Sequence, residues 1–480
     1  MPSADPTARA ALLLDDIFRN VPERQFAVRL WDGSTWHPDP AHPPRFTLAI
    51  HDPGVLRRLI LARDEAALGA GYVAGDFDLE GNLEAVVPVA EAMLTAPPPW
   101  QTRLRVFASA LRLPRHGDGR DGGAAPTDAT PLPAGPPAPG PQSARARLSA
   151  AEATGGRQRW GTAQPIGLDG DARTVPGRAE RSGPALRGRR HSPARDRAAV
   201  TYHYDASNEF YRLFLDSRMV YSCAYFASPD EPLETAQERK LDYVCRKLRL
   251  RPGERLLDIG CGWGALIVHA ASRYGVVADG ITLSEQQAEV ARARIREAGL
   301  EERCTVRIAD YRDLDAAGTY DKLASVGMFE HVGEAAMDAY FRQALRLLKP
   351  GGAMLNHAIA GTGPDGLHGQ SFADRWVFPD HEVLPIHVAL RGAELAGFEV
   401  RDVENLRQHY ALTLRHWLRH LETRRADAIH AASEPIWRAW RLVFAAAAYK
   451  FDAGKLNLYQ TLLVKRGARG APLMRSDWYV

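Results

Sequence analysis

Apolar and polar positions divide the 480 residues into a patterned first region, an unpatterned middle and a long patterned second region. In the second region, short apolar runs of strand length alternate with amphipathic stretches of helical period. Runs over 256–259, 276–283, 304–309, 322–326 and 353–359 predict five strands. Their near-continuous apolar character suits strands buried on both faces of a parallel sheet. Between them, 265–274, 284–298 and 337–348 predict helices, and a further amphipathic helix over 235–248 leads into the first strand. Ser284 followed by Gln287 predicts a capping box, and Lys349-Pro350-Gly351-Gly352 stops the last helix. The alternation predicts an α/β fold, a doubly wound, mostly parallel sheet with right-handed crossovers.

The first region carries a strand-like alternation over 26–31 that meets Asp32-Gly33, a hairpin signal, and a second strand candidate over 46–50. Helical patterns follow over 55–70, 83–94 and 101–112. No catalytic constellation is visible there, so 1–112 reads as a small α+β accessory domain. Residues 113–197 lose all period: Gly, Pro, Ala and Arg dominate, and Trp160 is the only aromatic. Such a composition cannot bury enough apolar surface to offset chain entropy, which predicts a disordered linker. Residues 198–468 then form the catalytic domain and 469–480 a tail.

The formal net charge of +3 gains meaning only when located. The linker holds 14 Arg, no Lys and 8 Asp/Glu, a balance of +6 that leaves −3 for the other 395 residues. Basicity confined to one segment argues against a nucleic-acid-binding face. The linker arginines read as a passive tether or as contacts to anionic lipid headgroups. Cys223, Cys245, Cys261 and Cys304 are too widely spaced for a C-x-x-C zinc site, no metal is expected, and they fit a reducing compartment. The apolar run 8–14 ends at Asp15 and Asp16, short of a signal peptide, and the longest apolar stretch, 442–449, is far too short to span a bilayer. A cytoplasmic protein is expected.

The candidate chemistry starts at residues 255–265, R-L-L-D-I-G-C-G-W-G-A. A strand, a glycine bend and a helix N-terminus form the nucleotide-binding corner of an open α/β sheet. Gly260, Gly262 and Ala265 also satisfy a loose dinucleotide fingerprint, and a ligand-free turn is the plainer alternative. A dinucleotide site wants an acid closing the second strand, and Asp279 lies three residues before the Thr282-Leu283-Ser284 that ends it. Asp258, Gly260, Thr282, Asp310, Glu330 and His357 all fall at or near carboxyl ends of predicted strands, where ligands of such sheets bind. The aromatic-rich stretch 201–226 interleaves His203, Asp205, Ser207, Asn208, Ser222 and Cys223.

With H-Y-D-x-S-N-E-F-Y and Y-S-C-A-Y-F (203–226), L-D-I-G-C-G-W-G, G-I-T-L-S-E-Q-Q (280–287), F-E-H-V-G (329–333) and N-H-A-I (356–359), the chain resembles cyclopropane-fatty-acyl-phospholipid synthases, mycolic acid cyclopropane synthases and related fatty-acid C-methyltransferases. The resemblance covers about 200–466, and G-Y-V-A-G-D-F-D (71–78) extends it to the N-terminal, lipid-binding-like domain of the phospholipid-acting members. It implies a class I S-adenosylmethionine methyltransferase fold, Rossmann-like, with 455–465 as an antiparallel closing strand. Carried over, the cofactor site is Tyr221, Ser222, Asp258, Gly260, Gly262, Thr282, Leu283 and Gln287, with Asp310 and Tyr311 near the adenine.

The implied reaction is methylation of a cis alkene, with a bound bicarbonate removing a proton as the ring closes. Bicarbonate would be held by Cys223, Glu330, His357, the backbone of Ile359, and Tyr410. An anion needs such donors, but Glu330 beside it is a like-charge contact unless one of the two is protonated. An aromatic pocket suits the cation. Singly, Cys223 reads as a small buried apolar residue and His357 equally as core or as site; the joint set in family order carries the catalytic reading. His331, His409 and Tyr449 read as structural. Implied partners are unsaturated phospholipid acyl chains at the inner face of a membrane, peripherally bound, with a homodimer left open. A methylene- or methyl-branched product is the main alternative, and a silent lipid-binding protein a second. The Trp- and Arg-rich stretch 412–449 reads as acyl cover, membrane contact or packing on the sheet.

Overall fold

A computed structural model describes residues 6–61, 65–95, 99–114, 186–204, 206–363, 371–467 and 474–479. The first region builds helix α1 (Pro6–Phe18), strands β1 (Phe26–Arg29), β2 (Thr35–Trp36) and β3 (Phe46–Ile50), helices α2 (Pro53–Leu61) and α3 (Glu65–Val73), strand β4 (Phe77–Gly81), and helices α4 (Val86–Thr95) and α5 (Trp100–Ala110). Its four-stranded sheet has the order β2-β1-β3-β4. The β1–β2 hairpin turns at Asp32-Gly33 as its pattern predicts, with Asp32 accepting from the Ser34 amide at 3.0 Å. β4 begins within the 71–78 stretch and runs past it, and its pairing with β3 is a long-range contact that no local pattern announces.

The second region begins earlier than expected. Helix α6 (Pro193–Tyr204) starts inside the stretch read as linker, and Arg195 pairs with Asp380. Residues 115–185, and with them most of the linker reading, lie outside the described residues, as does Asp205. There follow α7 (Asn208–Phe214), α8 (Leu233–Lys247), β5 (Arg255–Ile259), α9 (Ala265–Tyr274), β6 (Val277–Thr282), α10 (Glu285–Glu297), β7 (Cys304–Ile308), β8 (Tyr320–Val326), α11 (Met337–Leu347), β9 (Leu348–Gly361), α12 (Phe372–Trp376), α13 (Ile386–Ala396), β10 (Phe398–Asn405), α14 (Arg407–Thr423), α15 (Arg425–Ala431), α16 (Glu434–Asp452) and β11 (Leu456–Lys465). All five predicted parallel strands form.

The seven strands order as β10-β11-β9-β8-β5-β6-β7. β5 to β9 run parallel, while β11 is antiparallel to both β9 and β10. This is the fold of a class I methyltransferase. The order reverses between β5 and β8, which opens a crevice at their carboxyl ends. Apolar clusters cover each face of the sheet, and a third cluster joins α7, α14 and α16 to the N-terminal domain.

That third cluster narrows the readings of the Trp-rich stretch to packing and cover. Trp417, Trp437 and Trp440 are buried among helices, so they present no surface to a membrane. The arginines beside them hold the two domains together. Arg438 pairs with Asp78 at 2.6 Å, Arg441 donates to Leu79 O at 3.0 Å, and Arg415 grips Glu84 with contacts of 2.8 to 3.0 Å. At Gly69 a Cβ would fall 2.1 Å from the Phe372 ring, so α3 reaches its partner only as glycine.

Candidate active site

β5 ends at Ile259, and the chain bends through Gly260, Gly262 and Gly264 with φ of 84°, 52° and 82° before α9 starts. Such left-handed backbone favours glycine. A Cβ on Gly264 would lie 2.9 Å from Ala291 Cβ, and Gly260 is almost as tight against Met328. The amides of Gly260 and Cys261 both donate to Ile281 O, at 3.0 and 2.9 Å, which pins the bend to β6.

The bend borders a cleft of about 150 Å³ lined by Tyr221, Ser222, Asp258, Gly260, Gly262, Thr282, Leu283, Gln287, Asp310 and Tyr311. All ten residues read as cofactor-binding therefore line one hollow. His331, read as structural, lines it too. The Ser284 cap forms but not as a full box: its hydroxyl accepts from the Gln287 amide at 3.3 Å, while Gln287 Oε1 accepts from the Thr282 hydroxyl at 2.7 Å. Asp310 is clamped by Arg312 at 2.6 to 3.0 Å, and Arg312 reaches on to Asp196 at 2.9 Å. Asp279 points elsewhere, bound by Arg255 at 2.8 Å and Thr305 at 2.5 Å, so no acid takes a dinucleotide ribose there.

Two side chains that the sequence reading missed shape this cleft. Lys240 is buried and donates to Ser222 Oγ at 2.7 Å, and Gln237 Nε2 donates to Ser222 O at 2.9 Å. Both lie on the inward face of α8 with Leu233, Ala236, Leu241 and Val244. Polar residues on the apolar face of an amphipathic helix were the available signal. Burial pushes the Asp258 carboxyl up to about 7, with the Lys240 charge pulling it back, and lowers Lys240 itself to about 8. Asp258 Oδ1 and Gln287 Nε2 are buried without a hydrogen-bond partner. Orphaned buried polar atoms beside a glycine bend fit a polar ligand such as S-adenosylmethionine.

A second set of groups gathers next to the cleft. His357 stands in β9 opposite Val326 of β8, and Gln460 of β11 places its Nε2 3.2 Å from His357 Nδ1. With that amide donating, Nδ1 accepts and Nε2 carries the proton. Burial holds His357 neutral, and its Nε2 has no partner. Glu330 follows β8; its Oε1 accepts from the Ile359 amide at 2.7 Å while Oε2 is buried and unpartnered. Burial raises its carboxyl above the usual range. The Ile359 amide read as an anion donor is thus already engaged by Glu330. His357 and Ile359 lie two apart on one strand and so share a face.

Cys223 and Tyr410 reach this corner through the backbone. Cys223 Sγ faces Leu406 O at 3.9 Å, Tyr410 N donates to the same carbonyl at 3.1 Å, and Leu406 N donates at 2.8 Å to Leu458 O, opposite Ile359. Burial raises the Cys223 thiol, so it stays protonated. An aromatic wall closes the space, with Tyr221 5.1 Å from Trp417, Tyr211 5.4 Å from Trp440, and Tyr410 4.7 Å from Phe451. His203 belongs to this wall, donating to Val377 O at 2.7 Å, with burial holding it down at about 3.

A profile of the family described as Mycolic acid cyclopropane synthetase matches residues 191–461, more than half of the chain. The chain belongs to that family. It is an S-adenosylmethionine-dependent methyltransferase, and its family's named members are cyclopropane synthases and fatty-acid methyltransferases. A "Probable fatty acid methyltransferase" of Pseudomonas putida is 46% identical over 300 residues, covering 61% of this chain and 76% of the relative. The "Cyclopropane-fatty-acyl-phospholipid synthase" of Escherichia coli K12 is 36% identical over 272 residues, covering 56% and 69%. Among solved structures, mycolic acid cyclopropane synthase CmaA1 complexed with SAH and CTAB superposes with a TM-score of 0.53 at 35% identity, covering 56% of this chain and 98% of that one. Residues 13–93 match a second family, described as Domain of unknown function (DUF7884).

Proposed function

We propose that this family member forms cyclopropane rings by adding a methylene unit to the cis double bond of unsaturated acyl chains in phospholipids. When bound, S-adenosylmethionine supplies an electrophilic sulfonium methyl, and bicarbonate supplies a base for the proton that ring closure releases. Asp258, Gly260, Gly262, Thr282, Leu283, Gln287, Tyr221 and Ser222 would hold the first, with Asp310 and Tyr311 beside the adenine. Cys223, Glu330, His357 and Tyr410 would hold the second, with the Ile359 amide positioning Glu330. The observation that carries this reading is the pair of orphaned buried atoms, Glu330 Oε2 and His357 Nε2, at adjoining strand ends.

A neutral His357 presents an N–H suited to an anion, and Cys223 an S–H that donates to Ala224 O at 3.2 Å until an anion takes it. Glu330, raised by burial, can carry the proton that relieves its like-charge contact. The aromatic wall excludes water and favours the positive charge that develops on an alkylated alkene. Among the described residues no helix is long and apolar enough to cross a membrane, so access to bilayer lipids would be peripheral. All four cysteines are buried and free, in keeping with a site on the inner, cytoplasmic side. The Pseudomonas putida relative keeps a methyl- or methylene-branched product as a second reading.

The test is mass spectrometry of lipids from a host expressing the chain with S-adenosylmethionine trideuterated at its methyl. Two retained deuteriums in a product that resists mild hydrogenation support the ring. Two in a reducible product mean a methylene branch, and three a methyl branch. No labelled lipid would overturn the proposal.

A further inference from the structure

Helix α5 carries an apolar stripe on its outer side. Trp100, Leu104, Phe107 and Leu111 are spaced by four, three and four residues and are 66%, 59%, 50% and 46% exposed. That spacing places them in one narrow arc, while Val106, Ala110 and Leu113 point the other way into the domain core. Large side chains exposed as a contiguous patch mark an interaction face. Arg103, Arg105 and Arg112 flank the stripe, and residues 100–112 contain no acid. Arg105 is tied to Asp16 at 2.6 Å.

The stripe also borders a hollow. Trp100, Leu104 and Phe107 are among the lining residues of a mainly apolar cavity of about 1120 Å³ walled by the N-terminal region and closed by Phe372 of α12 and Leu442, Ala446 and Lys450 of α16. That is just above the range of small-ligand pockets, about 300–1,000 Å³. A partner protein has no use for a wide apolar hollow behind a flat contact, whereas a bilayer offers apolar chains beneath an anionic surface.

The geometry points to α5 as the membrane-docking element: its Trp100–Leu111 stripe enters the headgroup boundary of an anionic phospholipid bilayer, its arginines meet the phosphates, and the cavity behind it opens to the acyl layer. This rests on the proposed action on phospholipids and names the surface that delivers the chain to them. Trp, Phe and Leu on one side with Arg beside them is the composition of helices that lie in a membrane interface.

The experiment is flotation of the full chain with vesicles of phosphatidylcholine, alone or mixed with phosphatidylglycerol. The triple variant Trp100→Gln/Leu104→Gln/Phe107→Gln is expected to bind the mixed vesicles at least about tenfold more weakly, as three apolar side chains no longer enter the interface. Arg103→Glu should weaken binding to the mixed vesicles and leave phosphatidylcholine alone unaffected. Leu395→Gln, an exposed leucine on α13, should change neither. Thermal unfolding and S-adenosylhomocysteine binding should match the parent in all three, and if the triple variant fails to fold, Arg103→Glu carries the test. Parent-like flotation of the folded variants overturns the proposal. So does a triple variant that alters sedimentation of the chain yet floats normally, since the stripe would then join protein copies. Turnover of an unsaturated fatty acid dispersed in detergent separates the two readings: its absence from the parent removes the acyl-modifying function, whereas its presence in a variant that no longer floats isolates docking.

Discussion

Helix α16 has a hollow on each side, and the two differ in kind. Trp440, Phe444 and Phe451 face the catalytic corner, whereas Leu442, Ala446 and Lys450 line the apolar cavity of the N-terminal domain. The candidate cofactor cleft, about 150 Å³, is bordered by Asp258 and Gln287 with polar atoms left unpaired, while the other, about 1120 Å³, is walled mainly by aliphatic and aromatic side chains. An unpaired buried polar group costs about 1–3 kcal/mol, so a fold retains several together only where a ligand satisfies them. A hollow without apolar content costs contacts but no unmade hydrogen bonds. One side of the helix leaves polar atoms for a ligand to satisfy, and the other leaves apolar space.

The largest expected effect tests the polar side. Glu330→Gln keeps an oxygen for the Ile359 amide and removes the group able to exchange a proton. Turnover is expected to fall by about 10²–10⁴, the usual contribution of a positioned acid or base, with S-adenosylhomocysteine affinity and melting temperature unchanged. Steady-state rates beside calorimetric binding check this. A variant retaining more than about half of parental turnover would mean the orphaned carboxyl is structural.

Next comes a pH effect confined to the same side. In the folded ligand-free chain Asp258 titrates at about 7, against an ordinary value of 3.8. A group whose folded value is raised adds stability that is full below the ordinary value and is lost as pH rises through the folded one. At about 1.4 kcal/mol per unit, the loss between pH 4 and 7 reaches at most about 4 kcal/mol. Asp258→Asn cannot ionise and should lack that slope. Urea unfolding of both proteins at pH 5 and pH 8 reads the difference; parallel curves would show that Asp258 is not held in a dry site.

Much of this contrast was legible in the sequence on one side only. The five parallel strands, the glycine bend and the strand-end residues are set by local pattern, and all ten cofactor candidates line one cleft because a doubly wound sheet brings its carboxyl ends together. Lys240 was missed because a lone lysine in an amphipathic helix reads as solvated, and only packing turns it inward. β4 and β10 escaped because their apolar runs are broken by Asp78, Glu80, Arg401 and Asp402, and both strands exist by long-range pairing. Composition left the tryptophans of α14 and α16 open between membrane contact and packing, and burial decides for packing. The stripe on α5 was present as a helix prediction but not as a surface, since exposure follows from which face its neighbours cover.

The smallest effect is a comparison made inside α16. Ala445 is fully buried in the aromatic cluster, whereas Ala446, the next residue, lines the apolar cavity. Ala445→Leu forces three carbons into a packed core and is expected to cost about 1–3 kcal/mol through displaced rotamers. Ala446→Leu places the same atoms into existing apolar space. Added contacts there offset the ordering of the new side chain, so its stability should stay within about 0.5 kcal/mol of the parent. Helix propensity is matched between the two, because both exchange alanine for leucine in the interior of one helix. What differs is only whether packed core or apolar cavity receives the side chain, and denaturant midpoints at constant slope measure that difference. Equal losses at the two positions would mean that the cavity closes in solution, and with it the distinction between the two sides of the helix.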